Sequence, residues 1–282
     1  MKCAWDALIN ILPLWMREKV DKFVRDSLQE IRMRINQVPE FVCAGKQIRL
    51  LRTVSRDDIE FCINVASKYS PWASTTISNG YITAQGGHRI GICGACSVYK
   101  KDIQGIKTPS SICIRVARDY PGIAHNALQY NGSVLILGPP GSGKTTLLRD
   151  YIRQLSDVRG DFISVVDERE EIFPLANGQV CFEPGIHTDV ISGCSKSIGI
   201  EILLRNMTPG IIAVDEITAK EDCDALLHAG WCGVSLLATA HAGCKEDLYK
   251  RPIYRPLVDN GIFDTVLTLR SDKTWIGERL CQ

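Results

Sequence analysis

The chain has almost no excess of charge: 33 Lys and Arg stand against 32 Asp and Glu, a formal net charge of +1 with His neutral. That balance gives no bulk field for a polyanion or an anionic membrane surface and leaves open only a local basic face. No run of roughly 18 consecutive apolar residues occurs, so no membrane span is expected. Met1 to Met16 is apolar in places, but Asp6, Asn10 and Pro13 interrupt it and no small-residue cleavage site follows, so no signal peptide is expected. There are 12 cysteines, yet only Cys93 and Cys96 form a C-x-x-C pair, and no second pair or C…H…H spacing completes a zinc site. The cysteines read as buried or incidental thiols of a reducing compartment, with a redox or metal pair at Cys93 and Cys96 as the alternative.

What is present is an ordinary globular composition, 45% hydrophobic and 23% charged over 282 residues. That length suggests two domains, expected at 1–122 and 123–282. The first reads as α+β. Val20, Phe23, Val24 and Leu28 recur at helical spacing between Trp15 and Leu28, and Ile31, Met33 and Ile35 then alternate with Arg32 and Arg34 as a half-buried strand does. A hairpin is expected around Gly45 and Lys46, and Ser55 is a plausible N-cap with Asp58 as its capping-box partner. Tyr81 to Thr83, His88 to Cys93 and Ile112 to Val116 read as further strands, and a boundary is expected at Asp119 to Gly122. In the second half, short, uniformly apolar strands (Val134 to Leu137, Phe162 to Val166, Ile211 to Val214, Ser235 to Thr239 and Thr265 to Leu269) alternate with helical stretches. This is the pattern of an α/β domain whose mostly parallel sheet is buried on both faces.

Gly138-Pro139-Pro140-Gly141-Ser142-Gly143-Lys144-Thr145, followed by Thr146, is a complete G-x-x-x-x-G-K-T between an expected strand and an expected helix. Its glycines let backbone N–H groups converge on phosphate oxygens, and the helix N-terminus adds partial positive charge. Lys144 then reaches the β- and γ-phosphates of ATP, and the Thr145 hydroxyl ligates Mg²⁺. Ile211 to Val214 runs into Asp215 and Glu216, which places two carboxylates at the end of a buried strand. Asp215 suits the Mg²⁺ shell through water, and Glu216 suits a general base on the attacking water. Leu236 to Ala238 ends in Thr239, Ala240 and His241, so Thr239 or His241 can contact the γ-phosphate or water. Asp167 to Glu171 closes another strand, with Glu168 either part of an acidic wall that places Mg²⁺ or water, or part of an acidic helix start. No N-K-x-D supports guanine specificity, no L-S-G-G-Q supports a transporter cassette, and no acceptor lid supports a small-molecule kinase.

The order of phosphate loop, Val165-Val166-Asp167-Glu168, Asp215-Glu216 and Thr239-Ala240-His241 resembles the Walker A, Asp box, Walker B and His box of the secretion-superfamily ATPases, the motors of type II and type IV secretion and of pili. Within that group the chain looks most like the stage III sporulation AA family of endospore-forming bacteria. Five stretches carry that likeness: Glu30 to Arg34, Gly86 to Gly91, Ile114 to Arg118, Thr188 to Ile191, and Arg205 to Pro209 leading into the Asp215 strand. Thr218 stands where the pattern has Gly, and Met207 to Pro209 lacks the Arg of many secretion motors. The resemblance implies a RecA-like P-loop ATPase core preceded by a PAS-like α+β domain. It implies a cytoplasmic ATPase of the mother cell, working as a ring, typically a hexamer, and docked on membrane-embedded proteins of the mother cell–forespore channel without inserting in the membrane itself. In such a ring Arg89, Arg115, Arg118 or Arg205 could act as an arginine finger worth roughly 10³- to 10⁵-fold in rate. The alternative for each is a surface ion pair worth about 0–1 kcal/mol. The same core also drives helicases and recombinases. A nucleic-acid-dependent ATPase is opposed by the neutral balance, by the lack of aromatic–basic interleaving and by the lack of a helix-turn-helix or RNA-binding signature. A scaffold whose nucleotide merely orders the fold would not require Glu216.

Overall fold

The alternation at Ile31-Arg32-Met33-Arg34 builds a central strand: Ile31 and Met33 are buried while Arg32 and Arg34 are exposed. The computed structural model describes residues 1–23, 27–68, 80–99, 102–176 and 178–280. These fall into two units, Met1–Asp119 with Pro174–Phe182, and Tyr120–Phe173 with Glu183–Gln282. The expected boundary after residue 122 thus lies at Asp119/Tyr120. Pro174–Phe182, read from sequence as part of the second domain, groups with the first. There the Phe182 ring and Pro174 pack against Gly87, 3.0 and 3.2 Å from where a Cβ on it would be.

In the first unit β1 (Leu28–Arg34), β2 (Glu40–Cys43), β3 (Lys46–Arg49), β4 (Tyr81–Thr83), β5 (Arg89–Tyr99) and β6 (Asp102–Arg115) form an antiparallel sheet in the order β3-β2-β1-β6-β5-β4. An irregularity between Leu28 and Glu30 resets the alternation, so Leu28 joins Ile31 and Met33 in the core. Helices Trp5–Ile11, Leu14–Phe23 and Arg56–Ser67 add to that core through Leu8, Ile11, Met16, Ile59 and Cys62. The first helix was not expected, because Asp6 and Asn10 interrupt the apolar run. They are exposed, however, and Trp5, Leu8 and Ile11 make one buried stripe before Pro13. The capping box at Ser55 and Asp58 forms in both directions, at 3.1 and 2.9 Å, and the free Asp58 oxygen accepts from the Trp15 indole at 2.9 Å.

The second unit carries β7 (Val134–Leu137), β8 (Ile163–Asp167), β11 (Thr188–Ser192), β12 (Ile211–Val214), β13 (Ser235–Ala240), β14 (Thr265–Leu269) and β15 (Trp275–Arg279) in the order β11-β8-β12-β13-β7-β14-β15. All neighbours are parallel except β15, which closes the edge antiparallel to β14. β7, β8, β12 and β14 are buried at every residue; β7 and β12 are wholly apolar, while β8 and β14 also bury Ser164, Asp167, Thr265 and Thr268. The two edge strands escaped the sequence reading for the converse reason: partly exposed strands mix polar with apolar residues, as Thr188-Asp189 and Gly277-Glu278 do. Two short strands between β8 and β11 in the chain, β9 (Leu175–Ala176) and β10 (Gln179–Val180), belong to the segment that groups with the first unit. The core is thus a mostly parallel, RecA-like sheet. No helix among the described residues is long and apolar enough to cross a membrane.

One polar side chain organises the first unit from inside. His88 is fully buried; its Nε2 meets the Ala4 carbonyl at 3.0 Å and its Nδ1 accepts from the Ala117 N–H at 3.2 Å. A single proton, on Nε2, satisfies both contacts. Burial holds the imidazole below its ordinary value of 6.5, reinforced by Arg118 and opposed by the Ala4 hydrogen bond. A depressed pKa means that the unfolded chain binds more protons, so the stability His88 contributes is complete above about pH 6.5 and lost as pH falls through its folded value. Thermal unfolding followed from pH 8 to 5 is expected to show a midpoint that drops below pH 6.5, and a shallower drop in His88→Gln.

Candidate active site

The site grows from four parallel strands that end side by side. β13 lies between β12 and β7, so the ends bearing Asp215 and Glu216, Thr239 and His241, and the phosphate loop are adjacent; β8 brings Asp167 to Glu171 on the far side of β12. The loop's shape depends on glycine at two points. Gly143 has φ +105°, a conformation L side chains rarely adopt, and it opens helix Lys144–Gln154. A Cβ on Gly138 would lie 2.5 Å from Ser142 Oγ and 3.2 Å from Leu269 Cβ. Pro139 and Pro140 are exposed at the rim, and Thr146 is half-buried on the first helical turn.

Lys144 is 6% exposed and donates to the carbonyls of Gly138 (2.9 Å) and Pro139 (3.1 Å) and to His241 Nδ1 (3.0 Å). Burial lowers its pKa, against the opposing pull of Asp215 and Glu216. An ammonium has no acceptor, so Nδ1 of His241 must accept and the ring proton must sit on Nε2. That proton points at Glu216 Oε1, 2.8 Å away. Lys144, His241 and Glu216 therefore form one directed hydrogen-bond chain. The second Glu216 oxygen accepts from Arg169 at 3.0 Å.

Thr239, fully buried, fixes the carboxylates. Its hydroxyl donates to Asp215 Oδ1 (2.5 Å) and accepts the Glu216 N–H (2.8 Å), while its carbonyl accepts the Ile217 N–H (2.9 Å). The other Asp215 oxygen accepts from the Thr145 hydroxyl at 2.6 Å. Glu216 itself sits at φ +53°, a left-handed conformation that costs a non-glycine residue on the order of 1–2 kcal/mol. The bonds from Thr239 on either side hold the kink that turns the carboxylate toward His241.

Asp167 plays an internal part. Its carboxylate accepts from the N–H groups of Glu171, Ile172 and Phe173 at 2.8–3.0 Å, and burial raises its pKa against their pull. Arg149, buried, donates to the carbonyls of Ile172 (2.5 Å) and Glu171 (2.7 Å) from below. The Asp167–Phe173 turn is thus clamped through both its donors and its acceptors, and it carries Arg169 to Glu216. Glu168 faces elsewhere: Lys196, nearly buried, binds it at 2.5 Å and also lies 3.5 Å from Asp222. Glu168 and Glu216 still line one small cleft with Asp167, Arg169, Glu171, Lys196 and Asp215.

Of the candidate finger residues, Arg205 pairs with Glu201, and Arg89 stacks 4.1 Å over the Tyr81 ring. Arg115 lies beside Glu30, and Arg89, Arg115 and Arg118 all belong to the first unit. Cys93 and Cys96 are free and exposed, and no cluster of three metal-ligating side chains occurs among the described residues.

A family profile described as sporulation stage III, protein AA, matches residues 5–277. The chain belongs to that family. It is 34% identical over 279 residues to stage III sporulation protein AA of Bacillus subtilis, spanning 94% of this chain and 91% of that one. Among solved structures it is similar to the ATPase DotB of Legionella pneumophila, at TM-score 0.59 and 18% identity over 94% of this chain and 78% of that one. It is also similar to the pilus retraction motor PilT with bound ADP, at TM-score 0.61 and 14% identity over 90% and 77% of the two chains. These likenesses establish the secretion-ATPase fold for the family member described here.

Sequence reasoning named Lys144, Thr145, Asp215, Glu216, Thr239 and His241, and the fold brings all six together. It passed over Arg169, hidden in an acidic run that drew attention to its carboxylates, and Lys196 and Arg149, which carry no motif. Thr239→Val keeps the buried shape and removes both hydroxyl bonds. Urea unfolding of this variant is expected to show about 1–3 kcal/mol less stability, the scale for stranding buried polar partners.

Proposed function

We propose that the chain hydrolyses ATP as a motor of the secretion-ATPase type, powering assembly of, or transport through, the mother cell–forespore channel during sporulation. The observation that carries this reading is the hydrogen-bond chain from Lys144 through His241 to Glu216, beside the Thr145–Asp215 pair. It supplies the cation, base and hydroxyl–carboxylate pair that phosphoryl transfer to water needs, all at the carboxyl edge of one sheet.

Lys144 holds the β- and γ-phosphates once their charge displaces His241 from it. The displaced imidazole remains hydrogen-bonded to Glu216 and keeps that carboxylate aimed at the attacking water, whose proton Glu216 accepts. Thr145 and Asp215 are hard oxygen donors and fit Mg²⁺, with Asp215 acting through water. Held there, such an ion would supply neutralisation of the negative charge that builds up on phosphate during transfer. Glu168, held by Lys196, lines the acidic wall of the same cleft. In this reading the chain works as a ring, a hexamer, in the mother-cell cytoplasm. It docks on membrane-embedded channel proteins, and an arginine of a neighbouring subunit completes the site.

Phosphate release per protomer measured against protein concentration, with Glu216→Gln as reference, tests this reading. The expected result is a specific rate that climbs as rings assemble and falls about 10²-fold or more in Glu216→Gln, the scale of a lost general base. Lys144→Ala is expected to weaken ATP binding. A rate unaffected by Glu216→Gln contradicts the assignment of the base. Strong stimulation by DNA or RNA at moderate salt would instead favour a nucleic-acid-dependent ATPase.

A further inference from the structure

The phosphate loop has a second lysine that no motif contains. Lys273, in the turn between β14 and β15, donates its ammonium to the Gly141 carbonyl at 2.5 Å, and its Cδ lies 3.9 Å from the position of a Cβ on Gly143. The turn is firmly made: Lys273 N–H bonds to the Arg270 carbonyl (3.1 Å), Arg270 N–H bonds to the Thr274 carbonyl (2.9 Å), and Asp272 accepts from the Thr274 N–H (2.9 Å) and hydroxyl (2.6 Å). Lys273 itself has φ +71°, left-handed for a residue with a side chain. Leu269, at the end of β14, packs 3.2 Å from the position of a Cβ on Gly138, so strand and turn together flank the loop.

The loop needs a holder on this side. Gly141 has φ +71° and nothing within 4 Å of a Cβ position, the buried Ser142 hydroxyl makes no hydrogen bond, and within the loop the peptide between them is held by the Ser142 N–H, which donates to the Pro139 carbonyl at 3.2 Å. The side-chain tethers on the loop's carbonyls, among the described residues, are Lys144 on Gly138 and Pro139, and Lys273 on Gly141. In the reading above, nucleotide draws Lys144 away to the phosphates, which leaves the first two carbonyls. The tether at Gly141 is the one that binding does not consume. The Gly141 carbonyl and the Ser142 N–H share one peptide plane, so a cation on the outer oxygen holds that unit from the side opposite its turn bond to Pro139 and polarises the N–H that phosphate would take over from the Pro139 carbonyl.

We infer that Lys273 is a positioning residue for nucleotide: from the β14–β15 turn it pins the Gly141–Ser142 peptide of the phosphate loop in the orientation that receives phosphate. The inference rests on the nucleotide reading of the loop and adds to it a specific contributor to affinity. Pinning serves ground state and transition state alike, so its loss should appear in binding and KM and leave kcat nearly alone.

The test is titration of fluorescently labelled ADP and ATP, with steady-state ATPase, on full-length wild type, Lys273→Ala and Lys273→Arg. In Lys273→Ala, Kd and KM are expected to rise about tenfold, the weight of one charge-assisted hydrogen bond, with kcat within about twofold. Lys273→Arg, which can still reach the carbonyl, is expected to recover most of the affinity. Unfolding without nucleotide should be nearly unchanged, because the turn's own hydrogen bonds do not involve the ammonium. Wild-type affinity in Lys273→Ala, or a fall in kcat at unchanged Kd, overturns the inference while leaving the nucleotide site standing. Absence of nucleotide binding by wild type overturns the reading beneath it and the inference with it.

Discussion

A lysine ammonium almost sealed from solvent must find acceptors, and the site is arranged around that need. Lys144 has two loop carbonyls and one imidazole nitrogen for partners. Because an ammonium can only donate, the imidazole is left with its single proton on the far side, where Glu216 receives it. One buried cation thereby sets a histidine tautomer and the direction of a carboxylate across three strands. Desolvation pushes Lys144 toward neutrality, and Asp215 and Glu216 oppose that shift. The site is a balance of charges held around the lysine.

The strand order makes that balance possible. With β13 between β7 and β12, Thr239 stands beside both Asp215 and the Glu216 backbone, and a single hydroxyl satisfies both. The strained backbone at Glu216 is sustained by these bonds, and its reward is a carboxylate that leaves the strand axis to meet His241. The turn after β8 shows the same economy, with Asp167 holding its N–H groups and Arg149 its carbonyls.

Much of this was legible in sequence because burial on both faces leaves a plain trace. Strands buried at every residue or nearly so read as short, mostly apolar runs, and the polar residues at or after the ends of β8, β12 and β13, with the loop after β7, are the site. Alternation and capping chemistry likewise disclosed β1 and the helix begun by Ser55. The edge strands β11 and β15 were opaque, since exposure permits mixed composition, and the Trp5–Ile11 helix was masked by exposed Asp6 and Asn10. The membership of Pro174–Phe182 in the first unit was hidden because it rests on tertiary packing, such as that of Phe182 and Pro174 on Gly87, and no local pattern records that. Arg169 and Lys273 act through long-range contacts from turns, where residue type carries little positional information.

The central claim is that phosphate takes Lys144 from His241 while His241 keeps Glu216. Nitrogen-15 resonances of His241, assigned by comparison with His241→Gln and followed as ADP and then a hydrolysis-resistant ATP analogue are added, address it directly. The account predicts a neutral imidazole protonated on Nε2 in the empty protein, and a large shift confined to Nδ1 as nucleotide binds. A ring protonated on Nδ1 in the empty protein, or an Nδ1 resonance indifferent to saturating nucleotide, would contradict it.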